Sequence, residues 1–398
     1  MITPGTEEQA GALSVDLDVN GRAIVAYERT VAKRRGVWAS TRTLQGFRSR
    51  DAGVLLGTGA LQLARLADGG GPDFVAWSRG GRVRVSLRRG GQFRTEVLPA
   101  SFPRRRVLAG GVAGRRVVLV LGDASSATVA VRSASGAWRA VPLPGLAAGR
   151  SAMRVAVSEG SGRVVAAWTQ GPLGPQQAVL AAIWTPASGT WSPTRTLVPS
   201  GSFGAPFPQL VTMNRRGAAV VQIGRNPAYG FSFDPVPEPR IHVLDAGATT
   251  WRAAPGVPDG VSGLSPRGTV LHAWTETVTE GTERLMEAEL APGSSTWTAP
   301  AEVARIVTDD VQQLAGVEGI AAAENGRIAI IAEINPGPAP DEHYAYTRLP
   351  GAPSWTRQDL AASTYQDVAL IPGRQRLGAT WDADSSMSGM PEGELIPK

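Results

Sequence analysis

A short, glycine-led segment rich in β-branched residues recurs eight times along this chain. The copies are GRAIVAYE, GPDFVAWS, RRVVLVLG, GRVVAAWT, GAAVVQIG, GTVLHAWT, GRIAIIAE and QRLGATWD. Their seventh positions are Tyr27, Trp77, Leu121, Trp168, Ile223, Trp274, Glu333 and Trp381, a mean spacing of roughly 51 residues. Such segments are typical of buried strands that follow a tight turn. The chain is therefore expected to repeat one small β unit eight times.

A second aromatic anchor follows each of the first seven copies, usually just after glycine, serine or threonine. These anchors are Trp38, Phe93, Trp138, Trp191, Trp251, Trp297 and Trp355. We expect each to open the outermost strand of its repeat. The near copies GVWASTRTL (36–44) and GTWSPTRTL (189–197) lie 153 residues apart, which corresponds to three repeats of 51. Trp38 follows Tyr27 by only 11 positions, whereas Trp191 follows Trp168 by 23, so repeat 1 is expected to lack one strand.

The segments around these anchors predict four strands per repeat, named a to d in chain order and joined by hairpin turns. Such repeats predict an all-β fold, a β-propeller of four-stranded antiparallel blades that forms a single domain over residues 1–398. We expect eight blades, with seven as the alternative because repeats 1 and 8 are incomplete. A β-solenoid is the rival architecture, but its repeats are usually shorter and lack hairpin turns such as RGGR at 79–82.

The turn between strands c and d resembles the Asp-box of sialidase-like propellers, which has the pattern Ser-x-Asp-x-Gly-x-Thr-Trp. In DAGATTW, Asp245, Gly247, Thr250 and Trp251 fit this pattern if one residue is inserted. The turns SASGAW, PASGTW, PGSSTW and PGAPSW keep small residues and tryptophan but lack the aspartate. The resemblance implies a propeller fold. It carries over no catalytic residue, because the arginine triad, tyrosine nucleophile and acidic partners of sialidases have no matching motif here.

The residue types in the chain exclude several kinds of site. There is no cysteine, so disulfides, thiol nucleophiles and thiolate metal sites are ruled out. The three histidines, His242, His272 and His343, are far apart in sequence, and neither a metal nor a cofactor is expected. His272 alternates with Val270 and Trp274 on a predicted strand, which favours a structural role.

The first residues, MITPGTEEQAGAL, carry two glutamates and no apolar core, so they do not resemble a signal peptide. Arginine or polar residues interrupt every apolar run before spanning length, so no membrane insertion is expected. The compartment stays open. An extracellular location is favoured if Met1 was added to a mature secreted chain, and a cytoplasmic one otherwise.

Functional residues of a propeller are expected in the b-to-c and d-to-a connections, which usually share one end of the blades. The predicted b-to-c connections are tight in repeats 2 and 3 and long in repeats 5 to 8. These long connections combine aromatic rings with carboxylates, which suit a sugar face or a peptide. The candidate ligand-binding residues are Tyr229, Phe231, Phe233, Asp234, Asp341, Glu342, His343, Tyr344, Asp382 and Asp384.

The sequence thus favours a non-enzymatic binding or scaffold propeller that recognises a protein or a glycan through the loop-rich end of repeats 5 to 8. The alternative is a sialidase-like glycoside hydrolase in which two rim carboxylates, such as Asp341 and Asp382, act as acid and base. A third possibility is that these acids only solvate their loops. The catalytic residues and the oligomeric state are not indicated.

Charge is unevenly distributed along the chain. Of the 40 basic residues only Lys33 and Lys398 are lysines, and the net charge is +11 over residues 1–133, +5 over 134–266 and −10 over 267–398. The run PRRRV at 103–107 could contact phosphates or a glycosaminoglycan, although such runs are more often solvated loops. Aromatic residues do not interleave with the arginines, which argues against a nucleic-acid groove.

Overall fold

The structure is a computed structural model, which describes residues 10–17, 22–31, 34–43, 53–67, 71–102, 106–123, 126–145, 152–172, 174, 176–200, 205–225, 240–254, 256–279, 281–307, 314–335, 342–360, 365–372, 377–383 and 391–395. All regular structure within these ranges is β-strand, as the repeated segments predicted. Within the same ranges there is no helix that could cross a membrane.

The strands form successive antiparallel sheets, and each sheet uses strands that are consecutive in the chain. Blade 1 contains β1 (Ala10–Leu17), β2 (Arg22–Val31), β3 (Arg34–Thr43) and β4 (Val54–Thr58). Blade 2 contains β5 (Ala60–Arg65), β6 (Asp73–Arg79), β7 (Arg82–Arg89) and β8 (Gln92–Val97). Blade 3 contains β9 (Arg106–Ala113), β10 (Arg116–Asp123), β11 (Ser126–Arg132) and β12 (Trp138–Pro142).

Blade 4 contains β13 (Met153–Val157), β14 (Val164–Gln170), β15 (Ala178–Thr185), β16 (Thr190–Trp191) and β17 (Arg195–Val198). Its outermost position is divided, because β16 and β17 both pair with β15. Blade 5 contains β18 (Pro206–Met213), β19 (Ala219–Arg225), β20 (Ile241–Leu244) and β21 (Arg252–Ala254).

Blade 6 contains β22 (Val261–Leu264), β23 (Val270–Thr279), β24 (Thr282–Leu290) and β25 (Ala301–Val307). Blade 7 contains β26 (Leu314–Ala322), β27 (Ile328–Asn335), β28 (Glu342–Arg348) and β29 (Thr356–Leu360). The last sheet, sheet 8, contains β30 (Tyr365–Pro372), β31 (Leu377–Ala383) and β32 (Pro391–Leu395).

The all-β fold of four-stranded antiparallel blades is the predicted propeller class. Seven sheets have the four strand positions of a complete blade, which is the alternative count that the sequence left open, and sheet 8 has three strands among the described residues. Each of the eight repeat anchors, from Tyr27 to Trp381, lies in the second strand of its sheet. The prediction of a single domain over the whole chain stays a prediction.

Blade 1 corrects the expectation that repeat 1 has lost a strand. Trp38 lies in β3, directly opposite Tyr27 of β2, and β4 supplies the outermost strand. The two strands are long and only residues 32 and 33 separate them in the chain, so the aromatic residue that follows Tyr27 falls on strand c rather than strand d. The near copies GVWASTRTL and GTWSPTRTL therefore occupy different strand positions in their blades.

The chain divides into two compact units. The first unit comprises residues 1–64 and 258–398, and the second unit comprises residues 65–257. In the second unit, the core between blades 3 and 4 is closed by Trp168 and Trp184, which pack against Val118, Val120 and Val129. Burial of a side chain of this size contributes roughly 2–3 kcal/mol. Tryptophan therefore closes the layer between neighbouring sheets.

In the first unit, blades 6 and 7 pack face to face in the same way. Leu271 and Leu285 of blade 6 meet Ile330, Tyr344 and Tyr346 of blade 7. The alternation along each strand places every second side chain in this layer.

Candidate functional site

The b-to-c connections, which carry most of the predicted site, differ in length as the sequence indicated. In blades 2 and 3 only residues 80–81 and 124–125 separate strands b and c, whereas residues 226–240 separate them in blade 5. In blade 6 the extra residues lengthen strands β23 and β24, so the hairpin itself projects. We call this end of each blade its b–c end.

Most of the predicted site residues lie outside the part of the chain that the structure describes. Tyr229, Phe231, Phe233, Asp234, Asp341 and Asp384 fall in the segments 226–239, 336–341 and 384–390. Glu342 begins β28 and Asp382 lies in β31, and the positions of these two residues are described only as parts of strands. The predicted grouping of these residues therefore stays a prediction.

His343 and Tyr344 are described, and both lie inside strand β28 of blade 7 with buried side chains. Tyr344 belongs to the core between blades 6 and 7, and the Arg357 guanidinium carbon lies 3.9 Å from the centroid of its ring. His343 lies opposite Glu333 in the register of β27 and β28, which puts the two side chains on the same face. Both residues therefore lie within the packed strands of blade 7.

A carboxylate that the candidate set did not include, Glu276, lies at the b–c end of blade 6. The Trp274 indole N–H donates to Glu276 Oε1 at 2.9 Å, and Arg284 Nη2 donates to Oε2 at 3.1 Å. The ring of Trp274 is buried, whereas the Glu276 side chain is 34% exposed. The spacing of Trp274 and Glu276, two residues apart on one strand, is the sequence feature that indicates this contact.

His272, on the same strand as Trp274, has the structural role that the sequence favoured. Its Nδ1 lies 3.0 Å from Ser262 Oγ and its Nε2 lies 3.1 Å from the carbonyl oxygen of Pro258. The imidazole stacks on Trp274 with the ring centroids 5.6 Å apart and is 1% exposed. Both ring nitrogens therefore have partners inside the blade.

Charged residues are also paired in the layer between blades 6 and 7. Arg348 of β28 contacts Glu287 at 2.7 Å and Glu289 at 2.8 Å, both on β24, and its guanidinium carbon lies 4.8 Å from the Trp355 ring centroid. The pKa of Glu287 is raised above its ordinary value, chiefly because the side chain is buried. The neighbouring Glu289 carboxylate raises it further, whereas Arg348 lowers it. The arginine thus compensates a carboxylate that is 3% exposed.

These arrangements are suited to holding polar groups in place. The carboxylates of Glu276, Glu287 and Glu289 are each oriented by an arginine, and Glu276 is open enough to accept a further hydrogen bond from a ligand. No group of three or more histidine, aspartate or glutamate side chains that could hold a metal ion occurs among the described residues.

No family model matches the chain, and no curated protein matches it. Similar solved structures include the β-propeller domain of Cps50 (Swd1) from Myceliophteria thermophila, a neuraminidase-like protein of A/little yellow-shouldered bat/Guatemala, and YCF48 bound to D1 peptide. Their sequence identities to this chain are 10%, 12% and 13%, and their TM-scores are 0.46, 0.40 and 0.45. The matches cover 99%, 91% and 85% of this chain and 99%, 97% and 93% of the other chains.

At these identities a likeness concerns the fold alone. A neuraminidase-like protein is among these structures, and the Asp-box-like turn of this chain resembles that of sialidase-like propellers.

Proposed function

We propose that this chain is a non-enzymatic propeller that binds a protein or a glycan at the b–c end of its loop-rich blades. The observation that carries this proposal is the Glu276 carboxylate, which two donors hold in place at the end of blade 6. A carboxylate that is fixed and still accessible accepts a hydrogen bond from a hydroxyl or amide group with little loss of side-chain entropy. Sugars and peptides both present such groups.

The lengths of the b-to-c connections also support a binding site at the b–c end of the blades. Blades 5 and 7 insert residues 226–240 and 336–341 between strands b and c, and blade 6 extends its hairpin. Binding residues occur disproportionately on loops that a rigid scaffold positions. Blade 5 belongs to the second unit, and blades 6 and 7 belong to the first. The b–c end of each of these blades is therefore proposed separately as a place where a ligand binds.

The described carboxylates favour binding over glycoside hydrolysis. A hydrolase needs a carboxyl group with a raised pKa that reaches its substrate, together with a second carboxylate at a defined distance. Glu287 has a raised pKa, but its side chain is buried against Arg348. Glu276 is accessible, but each of its carboxylate oxygens already accepts a hydrogen bond, one from the Trp274 indole N–H and one from Arg284.

Glycan and peptide arrays probed with the purified full chain test this proposal. We expect selective binding to one array, and we expect Glu276→Gln to weaken it roughly tenfold because a charge-assisted acceptor is lost. Glu302→Gln is the matched control, since Glu302 is 39% exposed and also pairs with an arginine, but on the outermost strand of the same blade. That variant should bind as the unaltered protein does.

Two further variants address the predicted loop residues. Tyr229→Ala tests the blade 5 connection, and Tyr344→Phe tests the hydroxyl of Tyr344 while keeping its buried ring in place. Binding that survives both Glu276→Gln and Tyr229→Ala would contradict the proposal, as would two blank arrays. Turnover of an array sugar that stops in Asp341→Asn or Asp382→Asn would support the hydrolase instead.

A further inference from the structure

The second unit carries a large excess of positive charge. Its residues 65–257 include 23 arginines, no lysine and 8 carboxylate side chains, a formal charge of +15. The first unit holds 17 basic and 26 acidic residues, a formal charge of −9. The excess is therefore a property of one unit and not of the whole chain.

Part of this charge is concentrated where the a-to-b turns of blades 3, 4 and 5 lie side by side. A β-carbon on Gly162 of blade 4 would come 2.6 Å from the Ala113 β-carbon of blade 3, and one on Gly160 would collide with the Arg215 carbonyl oxygen of blade 5. We call these three turns, residues 113–116, 158–163 and 214–218, the arginine strip.

Hydrogen bonds hold the blade 4 and blade 5 turns of the arginine strip in fixed conformations. Asn214 Oδ1 accepts from the backbone N–H groups of Arg216 and Ala218, both at 3.0 Å. The Ser158 hydroxyl donates to the Arg215 carbonyl oxygen at 3.1 Å and so joins blade 4 to blade 5. Side chains that start from a fixed backbone lose less entropy when they bind a ligand.

Arg163, the last residue of the blade 4 turn, is buried and bonds to blade 5. Its guanidinium donates to the carbonyl oxygens of Gly217 at 3.2 Å and Ala248 at 2.5 Å, both in blade 5. Arg163 is 7% exposed, so it positions the blade 5 turn without being available to a ligand itself.

The outer surface of the strip is basic. Arg115, Arg116 and Arg216 are exposed, and among the described residues no ion pair involves their side chains. The one carboxylate within the three turns, Glu159, forms an ion pair with Arg65 at 3.5 Å. Negative charge within the strip is therefore already compensated.

We propose that the arginine strip binds an anionic polysaccharide through the sulfate or carboxylate groups along its chain. The guanidinium group forms paired hydrogen bonds with planar or tetrahedral oxyanions and stays charged at every physiological pH. A chain with regularly spaced anions can contact arginines on blades 3 and 5 at the same time, which multiplies the individually weak contacts.

The composition of the strip argues against other polyanions. Its turns contain no aromatic side chain, whereas proteins that bind single-stranded nucleic acids stack bases on such rings. Tight turns also offer no helix or ribbon that could enter a groove of a duplex. Recognition of an acidic peptide usually needs an apolar or aromatic anchor, and the three turns contain only alanine among apolar side chains.

The test measures the affinity of the full chain for heparin and for alginate at several salt concentrations. We expect the double variant Arg116→Gln/Arg216→Gln to bind about threefold to tenfold more weakly than the unaltered protein and with a smaller dependence on salt. We expect Glu159→Gln to bind more tightly, because it removes the single negative charge and releases Arg65.

The matched control is Arg79→Gln/Arg82→Gln, which removes the same charge from the same unit. Arg79 and Arg82 are exposed and flank the b-to-c turn of blade 2, at the opposite end of the strands. This variant should keep the affinity of the unaltered protein. Thermal unfolding of each variant establishes that the exposed substitutions leave the fold intact.

Three outcomes would overturn the proposal. One is an equal loss of affinity in both double variants, which would mean that net charge alone drives binding. Another is tighter binding to a DNA duplex or to polyglutamate than to either polysaccharide at equal ionic strength. The third is an absence of heparin binding at low salt in the correctly folded protein.

Discussion

Tryptophan residues in equivalent strand positions have different surroundings in different blades. Trp168 of blade 4 and Trp274 of blade 6 are both buried on their second strands. The Trp274 indole N–H donates to Glu276, whereas the Trp168 indole N–H is buried and has no acceptor among the described residues. The large ring is therefore required at both positions for packing, but the polar atom contributes at only one.

We predict that Trp274→Phe lowers the free energy of unfolding by about 1 kcal/mol more than Trp168→Phe does. Both substitutions remove similar volume from a packed layer, but only the first removes a hydrogen bond to a carboxylate. Chemical denaturation followed by circular dichroism measures the difference. Equal losses would show that the contact between Trp274 and Glu276 adds nothing to stability.

The contact of Arg348 with Glu287 gives a second prediction at the scale of residues. Arg348→Met should lower the free energy of unfolding by about 2–4 kcal/mol at pH 8, because it leaves a buried carboxylate without its partner. Arg357→Met is the matched control. Arg357 lies on the adjacent strand β29 and pairs with Asp359, which is 71% exposed.

The loss caused by Arg348→Met should depend on pH in a defined direction. The pKa of Glu287 in the folded protein is raised above its ordinary value of 4.5, so the folded state holds the proton more tightly than the unfolded state. The stabilisation by protonated Glu287 is present at low pH and is lost as the pH rises through the folded-state pKa. At pH 5 Glu287 holds its proton more often than at pH 8, so removing Arg348 leaves less unpaired negative charge. The loss of unfolding free energy should therefore be smaller at pH 5 than at pH 8. A loss that grew towards pH 5 would contradict this account.

At the scale of elements, neighbouring blades are joined by apolar layers and also by single buried arginines. Arg163 of blade 4 bonds to two carbonyl oxygens of blade 5. Arg132 of blade 3 forms two hydrogen bonds, at 2.7 and 2.6 Å, with Glu96 of blade 2, and Trp138 also donates to this carboxylate. These bonds lower the pKa of Glu96, as expected for a carboxylate whose charged form is stabilised.

We predict that Arg163→Lys lowers the free energy of unfolding by about 1–3 kcal/mol, because one ammonium group cannot replace two divergent donors in a buried position. Arg195→Lys should change it by less than about 0.5 kcal/mol, since Arg195 is exposed on the outermost strand of the same blade. Thermal or urea unfolding measures both. An Arg163→Lys variant as stable as the unaltered protein would mean that these inter-blade bonds contribute nothing net.

An element can be predicted from the sequence when the residues that determine it lie close together in the chain. The anchors at Trp168 and Trp274 identified second strands correctly, because β-branched segments and turn glycines act over a few residues. Trp38 was assigned to the wrong strand, because only its pairing with Tyr27 across a hairpin shows that it lies on strand c. Glu276 was missed as a site residue, because its partner Arg284 lies on the next strand.

At the scale of the whole molecule, the basic charge is almost entirely arginine. Guanidinium groups stay protonated far above neutral pH, whereas lysine ammonium groups begin to lose their charge near pH 10. The chain has 38 arginines and 2 lysines. The charge excess of the second unit, which has no lysine, is therefore insensitive to pH over a wide range.

We predict that the salt concentration that releases the protein from heparin is unchanged between pH 7 and pH 10. A lysine-based surface would release its ligand at lower salt as the pH approached 10. Elution from immobilised heparin at the two pH values measures this. A marked decrease in the releasing salt concentration, with the fold intact by circular dichroism, would show that arginine charge is not what holds the ligand.

The sequence by itself determined the all-β class, the positions of the second strands and the repeat length, because these depend on residue patterns within roughly 51 residues. Only the tertiary structure decided which charges meet. Arg163 reaches Ala248, 85 positions away, and Arg132 reaches Glu96, 36 positions away, because neighbouring sheets pack face to face. The arginine strip has the same origin, since its three turns become neighbours only when blades 3, 4 and 5 are stacked.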